Sequence, residues 1–210
     1  MSKRFVGIAV LLLTGVTTKV DAQRHELPAR LKLATREAVT ALADSLGAAG
    51  LPARAVYDKA AEGALKNASD AQILSAVRGL ARRLRDSRAV LGADASDEAL
   101  LAASSALYAG VPPAVIRRAA DARGDKATAP SLALTLTVLG SLVSRQVPVE
   151  LAAGSIEALL KRGARDFDLQ QFHTSIEGDI QGGGSPSEAT AARTQNILNA
   201  LNSRRPPGEG

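Results

Sequence analysis

Residues 69–91, SDAQILSAVRGLARRLRDSRAVL, carry the clearest helical pattern in the chain. Ser69 and Gln72 have the spacing of a capping box, in which the Ser69 hydroxyl accepts from the backbone N–H of Gln72 and the Gln72 side chain accepts from that of Ser69. The apolar residues behind this box recur at steps of three, four and seven, so they lie on one side of a helix. They are Ile73, Val77, Leu80, Leu84 and Leu91. The stretch therefore predicts an amphipathic helix over 70–91.

The composition favours helices in the rest of the chain as well. Alanine, the strongest intrinsic helix former, supplies 41 of the 210 residues. Aromatic residues, on which strand-rich domains often depend, make up only 2%. We therefore predict an all-α fold: an irregular array of helical hairpins, either α-solenoid-like or a multi-helix bundle, with about eight or nine helices.

A short phrase that ends one helix and opens the next occurs three times. It reads Gly50-Leu51-Pro52, Gly110-Val111-Pro112 and Gln146-Val147-Pro148. The second and third copies lie 36 residues apart, a spacing that suits one helix–turn–helix unit, whereas the first and second lie 60 apart. The phrase indicates degenerate helical hairpins. The alternative is that proline simply marks the first turn of unrelated helices.

The segment Ala127–Ser144 contains no charged residue. Its leucines and valines match both the alternation of a strand and the spacing of a helix. Six serines and threonines, together with Pro130, make it a poor membrane span. We predict the most buried helix of the array, packed against neighbours on several sides.

The first residues have the layout of an export signal. Residues 1–22 combine basic Lys3 and Arg4, an apolar run over 5–16 and small residues before a cleavage point after Ala22. The apolar run is shorter than the roughly 17–25 residues of a spanning helix. We therefore expect a periplasmic or secreted protein that is not transmembrane after processing.

The processed chain divides at its glycines. Residues 23–181 are predicted to form the helical domain, in which Asp166 caps the eighth helix. Residues 182–184, all glycine, are predicted to be a linker, and 185–202 a C-terminal helix that opens with Ser-Pro. Residues 203–210, rich in arginine, proline and glycine, are expected to be a disordered tail.

The charge of the chain is modest. The formal net charge of +5 falls to +3 when residues 1–22 are removed. That excess is too small to indicate nucleic acid as a partner, and export also argues against one. The chain has no cysteine, so its stability depends on packing and not on disulfides.

The sequence contains no recognisable catalytic, cofactor or metal motif. The only histidines are His25 and His173, and two ligands do not complete a metal site. We interpret His173 as a half-buried side chain bonded to a neighbour. Four carboxylates lie close together in sequence, and an acid–base pair among them is one interpretation; helix-start and solvated surface acids are the other. They are Asp166, Asp168, Glu177 and Asp179.

Arg78, Arg82 and Arg85 share one flank of the 70–91 helix, at steps of four and three. Such a flank suits contact with anionic lipid, a cell-wall polymer or an acidic protein. It also suits a merely solvated helix face, whose arginine stems cover apolar neighbours.

Taken together, these patterns favour a non-enzymatic binding or scaffolding protein whose partner is a protein. The first alternative is a peripheral envelope protein that binds anionic lipid or cell-wall polymer through the arginine flank. The second is a hydrolase that uses the acids near 166–179. The sequence indicates no cofactor.

The signal layout predicts where the exported protein begins. Cleavage after Ala22 makes Gln23 the first residue, because small residues stand one and three positions before that bond in export signals. Mass spectrometry of the N-terminal peptide of the exported protein should therefore start at Gln23. An N-terminal peptide that retains Met1 would contradict the prediction.

Overall fold

A computed structural model describes residues 27–124 and 127–204. Within these ranges the chain forms nine α-helices and no β-strand, so the all-α prediction is confirmed. The predicted signal at 1–22 lies outside the described residues. The helices are α1 (Leu33–Ala48), α2 (Arg54–Leu65), α3 (Asp70–Leu91), α4 (Asp97–Tyr108), α5 (Pro113–Arg123), α6 (Leu132–Ser144), α7 (Val149–Lys161), α8 (Asp166–Gln181) and α9 (Pro186–Ser203).

Local sequence signals set several of the helix starts. The capping box of α3 is present: the backbone N–H of Ser69 donates to Oε1 of Gln72 over 2.8 Å, and the N–H of Gln72 donates to the Ser69 hydroxyl over 3.3 Å. Ser96 caps α4 and Ser131 caps α6, each through its hydroxyl alone, which accepts from the backbone N–H three residues further on. These bonds satisfy N–H groups that have no partner inside the helix.

The helices stack in an order that follows the chain. Every extensive contact between helices joins neighbours one or two places apart. Helices α1, α3, α5, α7 and α9 contact one another in succession and form one layer, while α4, α6 and α8 form a second. In the first layer α1 and α3 run parallel, because Thr35 contacts Asp70 near their starts and Ser45 contacts Arg85 near their ends. This is the α-solenoid-like form of the predicted array.

The interior has two adjoining apolar clusters. The first lies among α1, α2 and α3 and includes Val39, Val56 and Val77, all fully buried. The second extends from α4 to α9 around Leu139. Leu91, at the end of α3, packs against both, so the clusters form a continuous core.

Helix α6 is the uncharged segment, and it contacts α4, α5, α7 and α8. Helical spacing therefore prevailed over strand alternation, although the helix starts at Leu132 because Pro130 and the Ser131 cap precede it. Leu136, Leu139 and Leu142 are fully buried. The prediction that α6 is the most buried helix is too strong, since α4 and α7 each bury as many residues.

Helices α4 and α6 approach each other at backbone distance. A Cβ atom added to Gly140 of α6 would lie only 3.0 Å from Cα of Ala106 in α4. The facing side of α4 is lined by Ala99, Ala103 and Ala106, all buried. Small side chains thus allow the two layers to meet closely.

Six helices end in the same hydrogen-bonded turn. In each, a residue with positive φ follows the helix, and the next N–H bonds back to the carbonyl five residues earlier over 2.8–3.1 Å. This is the Schellman motif. The positive-φ residues are Gly50, Asn67, Gly110, Gln146, Gly163 and Gly183. The repeated three-residue phrase is one version of the turn, and its middle residues, Leu51, Val111 and Val147, are buried.

The C-terminal part differs from the sequence-based boundaries. Residues 182–184 form one of these turns, and α9 packs on α7 and α8 with Ile197 in the common core, so α9 is part of the same array. Helix α9 continues to Ser203, into the predicted tail; residues 205–210 lie outside the described residues. Asp166 is the first residue of α8 and not its cap, because Arg165 holds the cap position.

The close approach of α4 and α6 predicts opposite effects for two glycine substitutions. Gly140→Ala should lower the free energy of unfolding by about 1–2 kcal/mol, because overpacking against the Ala106 backbone outweighs the gain in helix propensity. Gly154→Ala, in α7, is the control: a Cβ there meets no atom within 4 Å. It should raise the free energy of unfolding by about 0.5–1 kcal/mol. Urea denaturation measures both, and equal effects would contradict the prediction.

Gln146 occupies the position in the shared turn that favours glycine, so we predict that its backbone is strained. Its φ of 68° is unfavourable for a residue with a Cβ, so Gln146→Gly should raise the free energy of unfolding by about 0.5 kcal/mol after the entropic cost of glycine. Gly110→Ala, at the equivalent place in another turn, should lower it by about 1 kcal/mol. Thermal and urea unfolding of the two variants test this, and a destabilised Gln146→Gly variant would rule the explanation out.

Candidate functional site

The predicted arginine flank lies on the solvent-exposed face of α3. Arg78, Arg82 and Arg85 are all exposed and occupy successive turns of the helix. Arg85 donates a 3.3 Å hydrogen bond to the hydroxyl of Ser45 in α1. Within the described residues, Arg78 and Arg82 have no hydrogen-bond or ion-pair partner. Three guanidinium groups on one face are therefore left without a counter-charge.

A fourth arginine reaches this face from α5. The Arg117 side chain donates to the carbonyl oxygen of Ala89 over 3.3 Å, and Ala89 lies one turn beyond Arg85 on the exposed face of α3. We call Arg78, Arg82, Arg85 and Arg117 the arginine row. The sequence pattern does not single out Arg117, because only the contact between α3 and α5 reveals its place.

The row follows the axis of α3. Arg78 and Ala89 are eleven residues apart, which corresponds to about 16 Å at the rise of an α-helix. The nearest carboxylates along the two helices are Asp86 and Asp121, and neither is in ion-pair contact with an arginine of the described chain. The row is thus a linear patch of positive charge.

Several other arginines of the described residues are paired with carboxylates, unlike those of the row. Arg118, next to Arg117, donates to Glu150 and Glu157 over 2.6 Å each, and these bonds raise the pKa of its guanidinium above the usual value. Arg145, Arg193 and Arg204 also have carboxylate partners, each within 2.7 Å. These four arginines are therefore compensated by carboxylates, whereas the arginines of the row are not.

The two remaining arginines of α3 have structural contacts. The guanidinium of Arg83 lies 4.8 Å from the centre of the Tyr108 ring, and burial lowers its pKa from the usual value. Arg88 donates to the carbonyl oxygens of Gly50 over 2.8 Å and of Ala95 over 3.3 Å, and also to that of Ala93. These contacts join α3 to α4 and to the turn between α1 and α2.

The four carboxylates near 166–179 each have a separate donor. Asp166 accepts from the backbone N–H of Ser131 over 3.0 Å. Asp168, 2% exposed, accepts from Arg204 over 2.7 Å and from the N–H of Arg165 over 3.0 Å.

Asp179 and Glu177 of the same helix complete the set. Asp179 accepts two hydrogen bonds from Arg193, of 2.7 and 2.6 Å, and these lower the pKa of its carboxyl. Glu177 accepts from Arg145. Each of the four carboxylates has a contact that stabilises helix packing or a helix start.

His173 is half-buried and bonded to a neighbour, as the sequence analysis proposed. Its Nε2 lies 2.7 Å from the hydroxyl of Ser141 and 3.6 Å from Oε1 of Glu177. In a Ser-His-acid triad the carboxylate binds the other ring nitrogen. Ser141 also lies inside α6, where the backbone N–H groups that would form an oxyanion hole are used by the helix. The cluster joins α6 to α8.

The described surface is also concave between α8 and α9. A shallow depression of about 510 Å³ lies at the turn between α8 and α9, lined by Asp179, Ser185, Glu188 and small residues. Asp179 is already bonded to Arg193 there. Residues 27–124 and 127–204 contain no group of three or more histidine or acidic side chains placed to hold a metal ion. No helix in these ranges has the length and apolar character needed to cross a membrane.

Comparisons of the chain with protein-family models, curated proteins and solved structures find no match.

Proposed function

We propose that the protein is a non-enzymatic binding protein that works outside the cytoplasm and holds an anionic partner along the arginine row. The observation that carries this proposal is the contrast between paired and unpaired arginines. Arg118 has two carboxylate partners, whereas the adjacent Arg117 has only a backbone carbonyl. The four arginines of the row lie together on one exposed face.

An anionic ligand can reach this face without displacing an existing counter-ion. Arg78 and Arg82 are exposed and have no partner to lose among the described residues. Guanidinium groups give up hydration water more easily than ammonium groups and bind carboxylate or phosphate through two parallel hydrogen bonds. Four such groups in a line attract an anionic ligand along the whole length of the row, whereas a single surface ion pair acts at one point.

The helical array also provides an extended surface that is suited to binding a partner. An array that buries its apolar faces between neighbours keeps an extended surface with fixed side-chain positions. Hydrogen bonds from Arg88 to the carbonyl oxygens of Gly50, Gly92, Ala93 and Ala95 hold the end of α3 in place. The row therefore lies on a rigid helix, which lowers the entropic cost of binding.

Two exposed aromatic side chains favour a protein partner as a second candidate. Tyr108 is 78% exposed and Phe167 is 65% exposed. Exposed aromatic residues are enriched among the residues that dominate protein–protein binding. Such a partner would contact these side chains and need not depend on the row.

The first proposal predicts the effect of removing the charges. Arg78→Gln, Arg82→Gln and Arg85→Gln together keep side-chain length and helix propensity. Because the side chains are exposed, the free energy of unfolding should change by less than about 1 kcal/mol. Binding of the purified protein to anionic envelope fractions should fall at least tenfold, and binding by the wild type should weaken as salt rises.

A matched control separates the row from net charge. The exposed arginines Arg54, Arg162 and Arg165 lie on other parts of the surface, and their replacement by Gln removes the same three charges. This control should retain most of the wild-type binding. Equal losses in the two triple variants, or binding that is independent of salt, would refute the role of the row and favour the aromatic candidate.

A further inference from the structure

The row is narrow, and its narrowness restricts the shape of the partner. Arg78, Arg82 and Arg85 follow one another along α3 at intervals of about 6 and 4.5 Å, by the rise of the helix. Arg117 continues the line at Ala89, about 6 Å further. A line of charges one residue wide fits an extended, chain-like anionic ligand better than it fits a flat anionic surface.

On α3 itself, the exposed face of the described residues carries no large apolar side chain suited to enter a lipid bilayer. The other exposed residues of this face are Ala71, Ser75 and Ala89, and the exposed Asp86 borders it one turn beyond Arg82. The apolar side of α3, with Ile73 and Leu84, is buried in the core. A helix that lies in a membrane interface inserts an apolar face into the acyl region. Helix α3 has already used its apolar face inside the protein.

The exposed aromatic side chains of the described residues, Tyr108 and Phe167, do not contact the row. Single-stranded nucleic acids are bound by aromatic side chains placed along a basic groove. Tyr108 contacts Arg83, which lies outside the row. The ligand is therefore recognised by its backbone charge alone.

We infer that the occupant of the arginine row is a soluble linear phosphate polymer without bases, extended along α3. The inference rests on the proposed function, because it names the ligand of the same surface. Phosphate oxygens accept the paired N–H groups of guanidinium, and all four members of the row are arginines. A polymer that carries charge at each unit can meet every turn of the helix in succession.

The inference is tested with inorganic polyphosphate, using isothermal titration calorimetry over a range of salt concentrations. Four phosphate contacts to a single chain predict that log K falls with log salt at a slope of about −3. Arg117→Gln and Arg82→Gln should each make this slope shallower by about 0.7. Arg118→Gln is the matched control, because it removes an adjacent charge that is already paired, and it should leave the slope unchanged.

The outcomes separate this inference from the proposed function. Binding to vesicles of anionic phospholipid, but not to polyphosphate, would overturn the linear polymer and leave the anionic surface standing. Equal binding to polyglutamate would overturn the preference for phosphate. A slope that Arg82→Gln reduces but Arg117→Gln does not would remove Arg117 from the site. No binding to any polyanion or vesicle would overturn both proposals.

Discussion

The arrangement of the helices depends on the contact between α4 and α6. Gly140 faces the backbone of Ala106 so closely that a Cβ atom there would lie only 3.0 Å from the Cα of Ala106. This contact sets the distance between the two layers, and α6 then presents apolar sides to α5, α7 and α8. Because no charged residue occurs in α6, no buried charge needs a partner in the middle of the array. A core of mostly small and aliphatic side chains, with Phe172 as its fully buried aromatic residue among the described residues, is thus sufficient without disulfides.

Arginine has two separate uses in this protein. On the later helices it neutralises carboxylates and ties elements together, as Arg193 does with Asp179 and Arg204 with the buried Asp168. In the arginine row the same side chain is left exposed and without a counter-charge. The two uses cannot be distinguished by counting charges, since net charge averages over them. A guanidinium with carboxylate acceptors around it ties helices together, whereas one without such acceptors is available to a ligand.

The sequence was informative where the determinants are local. The capping box at Ser69, the bounds of α3 and the helical state of α6 followed from spacing within about 20 residues. It was uninformative where the determinant is a contact between helices. The approach of Arg117 to α3 is an example, and so is the pairing of Asp168 with Arg204, 36 residues away. Neither leaves a periodic signal, because a single polar contact between helices does not repeat along the chain.

The order in which the helices contact one another affects how the protein unfolds. Since each helix contacts chiefly the helices one or two places away, the molecule resembles a one-dimensional chain of coupled units. In such a chain a unit in the middle is stabilised from both sides, whereas α1 and α9 are stabilised from one side only. Disorder therefore enters from the two ends and moves inward, and the α4–α6 contact is the last boundary it reaches. How strongly each helix is stabilised by its neighbours therefore depends on its position along the stack.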